Sequence, residues 1–327
     1  MPLPDLINQF SLRKIVVVGD TVADQFLYGA ISRVSREAPV FILRHEQTET
    51  VPGGAANAAL NVAALGADCT LLGVAGADEN GRKIVEKLQA KGVETKFLIQ
   101  SENWQTTTKI RIFAGQPHAP RQQVIRIDYE NENQLAAEIE AEMIRSFPRA
   151  LGNADAVVIS DYNYGAASKT IGEELLKIAR EKNIPVFVDS RFRLTDFAGA
   201  TAATPNEDEV EEIRQKRFKT VSELETAAEE LRQELELQAL LVTRGKNGMI
   251  LLEEGKVAQH FPVVGSTDAV DVTGAGDTVM ATFALARASG GSFAEASILA
   301  NHAGGLVVMK RGTATVTQTE LLNSILS

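Results

Sequence analysis

Short β-branched runs alternate with helix-like segments along most of the chain, and that alternation is the pattern of an α/β sheet. Lys14-Ile15-Val16-Val17-Val18-Gly19 is the first such run. Others are Thr70-Leu71-Leu72-Gly73-Val74, Ala156-Val157-Val158-Ile159-Ser160, Pro185-Val186-Phe187-Val188-Asp189 and Ala239-Leu240-Leu241-Val242-Thr243. Between the first two, Gly54 to Leu65 predicts a tightly packed helix ending at Gly66, and Gly81 to Ala90 predicts the next helix. The runs tend to end in polar or acidic residues, and the carboxyl edge of an open α/β sheet is where ligands bind.

Two stretches break the alternation. Residues 21–52 hold Phe26-Leu27-Tyr28-Gly29 and Pro39-Val40-Phe41-Ile42-Leu43-Arg44 with no helix between them. Residues 104–130 hold Thr107 to Phe113 and Gln123 to Tyr129, joined by Ala114 to Pro120 as in a β-hairpin with a long loop. These excursions either pair into one small sheet over the cleft or form edge strands of the main sheet.

The formal net charge of −10 over 327 residues argues against a protein that holds a polyanion, so no nucleic-acid partner is expected. Cys69 is the one cysteine and can form no intramolecular disulfide. His45, His118, His260 and His302 lack metal-ligand spacing, which disfavours a zinc site. Met1-Pro2-Leu3-Pro4-Asp5 does not read as a signal peptide, and no apolar run approaches the roughly 18 residues that span a bilayer. A cytoplasmic protein without a membrane partner is the expectation.

The chain has no Gly-x-x-x-x-Gly-Lys-Ser/Thr: Gly245-Lys246 is followed by Asn247 and Gly255-Lys256 by Val257. It also lacks a Gly-x-Gly-x-x-Gly after the first strand and a Gly-x-Ser-x-Gly elbow. What it has is Asp271-Val272-Thr273-Gly274-Ala275-Gly276-Asp277, followed by the apolar run Thr278 to Ala286. That run reads as a buried helix, with Gly274-Ala275-Gly276 at its N-terminus. Free N–H groups there, unobstructed by bulky side chains, make an anion site. Asp277 in the first turn then stands beside that site, as a base for phosphoryl transfer to an alcohol would. A plain glycine turn with a dipole-favouring aspartate uses the same residues.

Thr204-Pro205-Asn206-Glu207-Asp208-Glu209 opens another helix. Asn206 and Glu209 either form a capping box or serve a nucleotide, Asn206 near its phosphates and Glu209 on a magnesium-bound water. Thr243-Arg244-Gly245 ends a strand where nucleotide phosphates could lie, or is a simple strand-to-turn transition. Gly53, Gly54 and Asn57 suit sugar hydroxyls or close helix packing, and Asp20 and Asp24 suit a polyol or a cap.

These pieces, in this order, resemble the ribokinase-like (PfkB) carbohydrate kinases over essentially the whole chain. Gly53-Gly54 with Asn57 matches the family's N-terminal signature, and Asp271 to Asp277 matches its C-terminal one. The resemblance implies a mostly parallel central sheet flanked by helices, with a small β lid. The core would be residues 1–20, 53–103 and 131–327, and the lid residues 21–52 and 104–130. It further implies ATP and magnesium, Asp277 as catalytic base, and Gly274, Ala275 and Gly276 as the anion hole. Asn206, Glu209, Thr243 and Gly245 would lie around the nucleotide and metal, with Asn301 near adenine. Asp271 and Thr273 would help hold a monovalent cation such as potassium. Lid pairing across a homodimer would cover the apolar strand Val40 to Leu43.

Within the family, the N-terminal half is most similar to the bacterial D-glycero-β-D-manno-heptose 7-phosphate kinases. Gly19-Asp20, Asp24, Tyr28-Gly29, Ser32-Arg33, Glu37-Ala38-Pro39-Val40 and Pro52 to Asn57 carry that similarity, which Thr108-Lys109-Ile110-Arg111 and Val124 to Asp128 continue through the lid. It implies formation of the 1,7-bisphosphate, with Lys109, Arg111 and Arg126 on the acceptor's existing phosphate. The chain has Asp189-Ser190-Arg191 where that branch usually has Asp-Pro-Lys, and a long lid loop from Gly115 to Arg121. Its 327 residues leave no room for the nucleotidyltransferase that many members carry after the kinase. The alternatives are another PfkB acceptor (fructose, ribose, a hexose phosphate or a nucleoside), a catalytically silent sensor, and a nicotinamide-dependent oxidoreductase that would need the missing glycine fingerprint.

Overall fold

The structure is a computed structural model that describes residues 1–115, 121–131, 134–265 and 269–327. Its described strands are β1 (Lys14–Val34), β2 (Phe41–Gly54), β3 (Asp68–Gly76), β4 (Glu94–Ser101), β5 (Thr107–Gly115), β6 (Gln122–Tyr129), β7 (Ala156–Asp161), β8 (Val186–Ser190), β9 (Ala202–Ala203), β10 (Ala239–Thr243), β11 (Met249–Glu253) and β12 (Gln259–Phe261). The helices are α1 (Leu3–Asn8), α2 (Ala55–Ala64), α3 (Glu79–Ala90), α4 (Ala137–Leu151), α5 (Lys169–Glu181), α6 (Glu207–Arg214), α7 (Val221–Glu234), α8 (Ala275–Ala288), α9 (Phe293–Val307) and α10 (Gln318–Leu326).

The main sheet runs β12-β11-β10-β9-β8-β7-β1-β3-β4 and is parallel from β4 through β10. Only β11 and β12 join antiparallel. Alternate residues of each strand enter opposite layers, as the period of two requires. Ile15, Val17, Val158 and Phe187 pack with α1, α2, α8, α9 and α10 on one face. Val16, Val18, Val157 and Val188 pack with α4, α5 and α7 on the other. The expected mostly parallel sheet flanked by helices is the observed fold.

The two excursions form their own sheet. β1 pairs with β3 and β7 up to Asp20, then from Thr21 onward with β2 and β5, so one continuous strand crosses from the main sheet to the second. The second sheet has the order β2-β1-β5-β6, its hairpin closing β5 onto β6. Phe113 stacks on Tyr28 with centroids 5.5 Å apart and meets Phe26 at a tilt, 6.1 Å away. The edge-strand alternative is not what the chain adopts. Of the long lid loop, residues 116–120, with His118, lie outside the described residues.

Helix α8 positions the candidate base. Residues Asp277 to Ala286 are all buried, because the helix is apolar all round and passes between α2 and α9. Small residues of α2, notably Ala55, Ala58 and Ala59, let the helices approach closely. At its start Gly274 has φ +76°, and a Cβ there would lie 2.5 Å from Nδ2 of Asn57. Only glycine fits that turn.

Candidate active site

Asp277 occupies the third position of α8 and is 2% exposed. Its Oδ2 accepts from Asn57 Nδ2 at 2.8 Å, and its Oδ1 accepts from the Tyr162 hydroxyl at 3.1 Å. Burial pushes its carboxyl up to about 8, with the Asn57 bond pulling down and the charge of Asp189 pushing up. A carboxyl poised there is suited to taking a proton near neutral pH. The N–H groups of Gly276 and Asp277 have no hydrogen-bond partner among the described residues, as the first turn of a helix dictates. Gly274, Ala275, Gly276 and Asp277 together line a cleft of about 470 Å³.

The opposite wall of this cleft comes from strand ends. Asn206 caps α6 and Glu209 returns the bond, Glu209 N to Asn206 Oδ1 at 2.9 Å and Asn206 N to Glu209 Oε2 at 2.8 Å. The capping box is therefore real, and both residues line the cleft as well. The cap fixes the side chains that the cleft presents. Thr243 lines it too, bridged to Asn206 along the sheet. Desolvation raises the carboxyls of both Glu209 and Asp189, each pushed further by a neighbouring acid, Asp189 for the first and Asp161 for the second. Thr204 lines the same wall, and its buried hydroxyl has no hydrogen-bond partner among the described residues.

The second sheet carries cations near the cleft. Arg111 forms an ion pair with Asp24, which also accepts from Thr313 Oγ1 at 3.1 Å. Arg126 is bidentate to Asp128, both bonds 2.7 Å. Lys109 is 7% exposed and forms no ion pair among the described residues; its ammonium lies 5.2 Å from the Tyr164 ring centroid. Burial lowers its ammonium's proton affinity, and the nearby Arg126 lowers it further. Asp271 accepts from Thr273 N and Gly312 N, both at 2.9 Å; burial works against its ionisation, but these amides outweigh it and hold the carboxyl below the usual range.

Several expected contacts take a different form. Asp20, expected on a polyol, is 1% exposed and lies outside the lining of the cleft. Its Oδ2 accepts from Tyr162 N and Tyr164 N at 2.8 and 3.0 Å, and its Oδ1 from Ala166 N at 2.8 Å. With both oxygens occupied by the loop after β7, it shapes the site from behind. Asn57 is likewise buried and turned to Asp277. Gly53 packs on Asp24, where a Cβ would come within 2.4 Å of Oδ2, while Gly54 reaches the cleft. Gly245, with φ +50°, starts a turn beyond the described lining, and Asn301 of α9 donates to Pro262 O at 2.7 Å.

Tyr162 and Asp161 line the cleft without having been singled out from the sequence, whereas Asp189 and Arg191, which also line it, belong to the run noted there as a departure. Asp161 and Tyr162 stand at and just past the end of β7, the carboxyl edge that an α/β sheet uses for ligands. That position was the available signal. Asp161 accepts from Ser190 Oγ at 2.6 Å and pairs with Arg193.

The model of the pfkB family carbohydrate kinases matches residues 12–320. The chain belongs to that family. It is 40% identical over 320 residues to the bifunctional protein HldE of Coxiella burnetii (strain Dugway 5J108-111), covering 98% of this chain and 65% of that protein. It is 41% identical over 320 residues to the bifunctional protein HldE of Pseudomonas aeruginosa (strain UCBPP-PA14), covering 97% and 64%. The chain thus spans just under two thirds of the length of these relatives. Among solved structures, the Arabidopsis thaliana ribokinase complexed with ribose and ATP superposes with a TM-score of 0.73 at 21% identity, covering 96% of this chain and 98% of that one. Escherichia coli phosphofructokinase-2 in complex with potassium gives 0.79 at 17% identity, with the same coverage of each. These likenesses establish the ribokinase-like fold.

Proposed function

We propose that the chain is an ATP-dependent sugar kinase, and that its acceptor is D-glycero-β-D-manno-heptose 7-phosphate, converted to the 1,7-bisphosphate. The observation that carries the reaction is the buried Asp277 beside unpartnered amides of its own helix turn. The acceptor hydroxyl gives its proton to Asp277 as its oxygen attacks the γ-phosphorus of ATP; the bond to the β-phosphate oxygen breaks and ADP leaves. The amides of Gly276 and Asp277, which have no partner among the described residues, stabilise charge on the transferring group. The Ala275 amide, expected in the anion hole, donates to Val272 O at 3.2 Å. The heptose phosphate reading is supported by the HldE relatives at 40–41% identity and by the signature residues through the lid.

In this reading Asn206, Thr243 and Gly245 lie along the nucleotide phosphates and Asn301 near adenine. Among the described residues no three His, Cys, Asp or Glu side chains close on one point. Glu209, which lines the cleft, would stand behind one water of a magnesium ion carried by the nucleotide phosphates, and the ion would neutralise phosphate charge. The ionised Asp271 with Thr273 suits a monovalent cation. Lys109, Arg126 and Arg111 face the acceptor's phosphate. Exposed Val40 and Phe41 support pairing of two lids in a homodimer. No described helix is long and apolar enough to cross a membrane, and we place the chain in the cytoplasm, where ATP is supplied.

The test is ADP release against a panel of sugars and sugar phosphates. Turnover with the heptose 7-phosphate well above all others is expected. Preference for an unphosphorylated sugar would remove this acceptor and leave the kinase. Tight ATP binding with no turnover on any acceptor would point to a sensor instead.

A further inference from the structure

The loop after β7 places a tyrosine hydroxyl on the carboxylate that Asn57 already holds from the other side. Tyr162 Oη donates to Asp277 Oδ1 at 3.1 Å, and Asn57 Nδ2 donates to Oδ2 at 2.8 Å. The Asn57 amide cannot turn over freely: Asn61 Nδ2 donates to its backbone oxygen at 3.0 Å and its Oδ1 at 3.2 Å. Thr278 Oγ1 in turn donates to Asn61 Oδ1 at 3.0 Å. A chain of bonds therefore runs from α8 through α2 back to α8, and its one member from outside those helices is Tyr162. Its backbone is fixed by the buried Asp20, which accepts from the amides of residues 162, 164 and 166.

We propose that Tyr162 is a positioning residue for phosphoryl transfer, holding Asp277 Oδ1 toward the cleft and favouring its ionised form. The proposal rests on the reading of Asp277 as the base. Each carboxylate oxygen has two acceptor directions, so an acceptor hydroxyl can donate to Oδ1 while Tyr162 stays bound. Tyr162 remains a donor throughout the working range, since desolvation and the adjacent Asp277 hold its own proton well above the ordinary tyrosine range. The acids lining the cleft with Asp277 are Asp24 from β1, Asp161 from β7, Asp189 from β8 and Glu209 from α6. The cations facing the same cleft are Lys109, Arg111 and Arg126 from the lid and Arg191 after β8. The Tyr162 bond acts on Asp277 directly, whereas those charges act through space.

The experiment is Tyr162→Phe, which keeps the ring, assayed on the acceptor that the wild-type chain phosphorylates in the panel. Thermal unfolding and ATP binding serve as controls and should match wild type. Below pH 8, kcat should fall about ten- to a hundredfold, the worth of a hydrogen bond to a charged group, with both KM values within about twofold. The acid limb of kcat/KM should move up by about one pH unit, because the lost donor stabilised the carboxylate. An unmoved acid limb, whatever happens to kcat, would reduce Tyr162 to a packing residue and overturn the proposal. Asp277→Asn run in parallel separates the two layers. If it is inactive while Tyr162→Phe behaves as wild type, only the proposal fails; if it keeps wild-type turnover, the base reading beneath it fails.

Discussion

At the scale of single residues, Asp277 works against its surroundings. It is buried, faces other acids, and is pushed up to about 8, yet the proposed role as base requires it to be ionised. Activity should therefore fall as pH drops through that value, and a pH profile of kcat/KM should show an acid limb near pH 8. A limb near 4, the ordinary aspartate range, would show that the site does not desolvate this carboxyl. Gly274→Ala introduces a Cβ at φ +76° and 2.5 Å from Asn57 Nδ2. It should cost about 1–3 kcal/mol of stability and displace the partner of Asp277, so turnover should fall further than the unfolding midpoint suggests. Wild-type kcat in that variant would mean the turn tolerates a side chain.

At the scale of elements, three amides of the loop after β7 converge on one buried carboxylate, Asp20. Asp20→Ala leaves three backbone donors of that loop without their acceptor and should cost about 2–5 kcal/mol by chemical denaturation. A loss under about 0.5 kcal/mol would show that the loop holds itself. Asp20 is also where reading by residue type fell short. A strand-end aspartate suits a sugar or a loop equally well, and only the three-dimensional course of residues 162–166 decides between them. Tyr162 was hidden for the same reason: nothing local in Asp161-Tyr162-Asn163 says that its hydroxyl meets a carboxylate 115 residues later. By contrast, the glycine run before α8 was legible, because glycines ahead of an all-apolar helix serve backbone geometry directly. The strands were legible through their apolar runs, and the lid through two β stretches with no helix to separate them. The union of those stretches into one sheet required the tertiary crossing of β1.

At the scale of the whole molecule, the site carries a stability cost that depends on pH. Asp277, Asp189, Glu209 and Asp20 all have carboxyls raised above their unfolded values. Such groups stabilise the fold below the unfolded value near 4, and that contribution is lost as pH rises through each folded value. The melting temperature of the ligand-free chain should accordingly decline between about pH 5 and pH 8, and Asp277→Asn should flatten part of that decline. A rising melting temperature over this range would contradict the charge burial described. The exposed Val40 and Phe41 bear on assembly, and Phe41→Asp should shift the chain toward monomers in sedimentation if two lids pair.

In the proposed mechanism one atom pair, the acceptor oxygen and the Asp277 carboxylate, carries the reaction. Single-turnover phosphoryl transfer by Asp277→Asn, with ATP and acceptor both saturating, isolates that step from binding and product release. Asparagine keeps the shape and cannot take the proton, so the rate should drop by about a hundred- to ten-thousandfold with nucleotide affinity preserved. A rate within a few-fold of wild type would mean that another group receives the proton, and that the buried aspartate at the head of α8 is not the base.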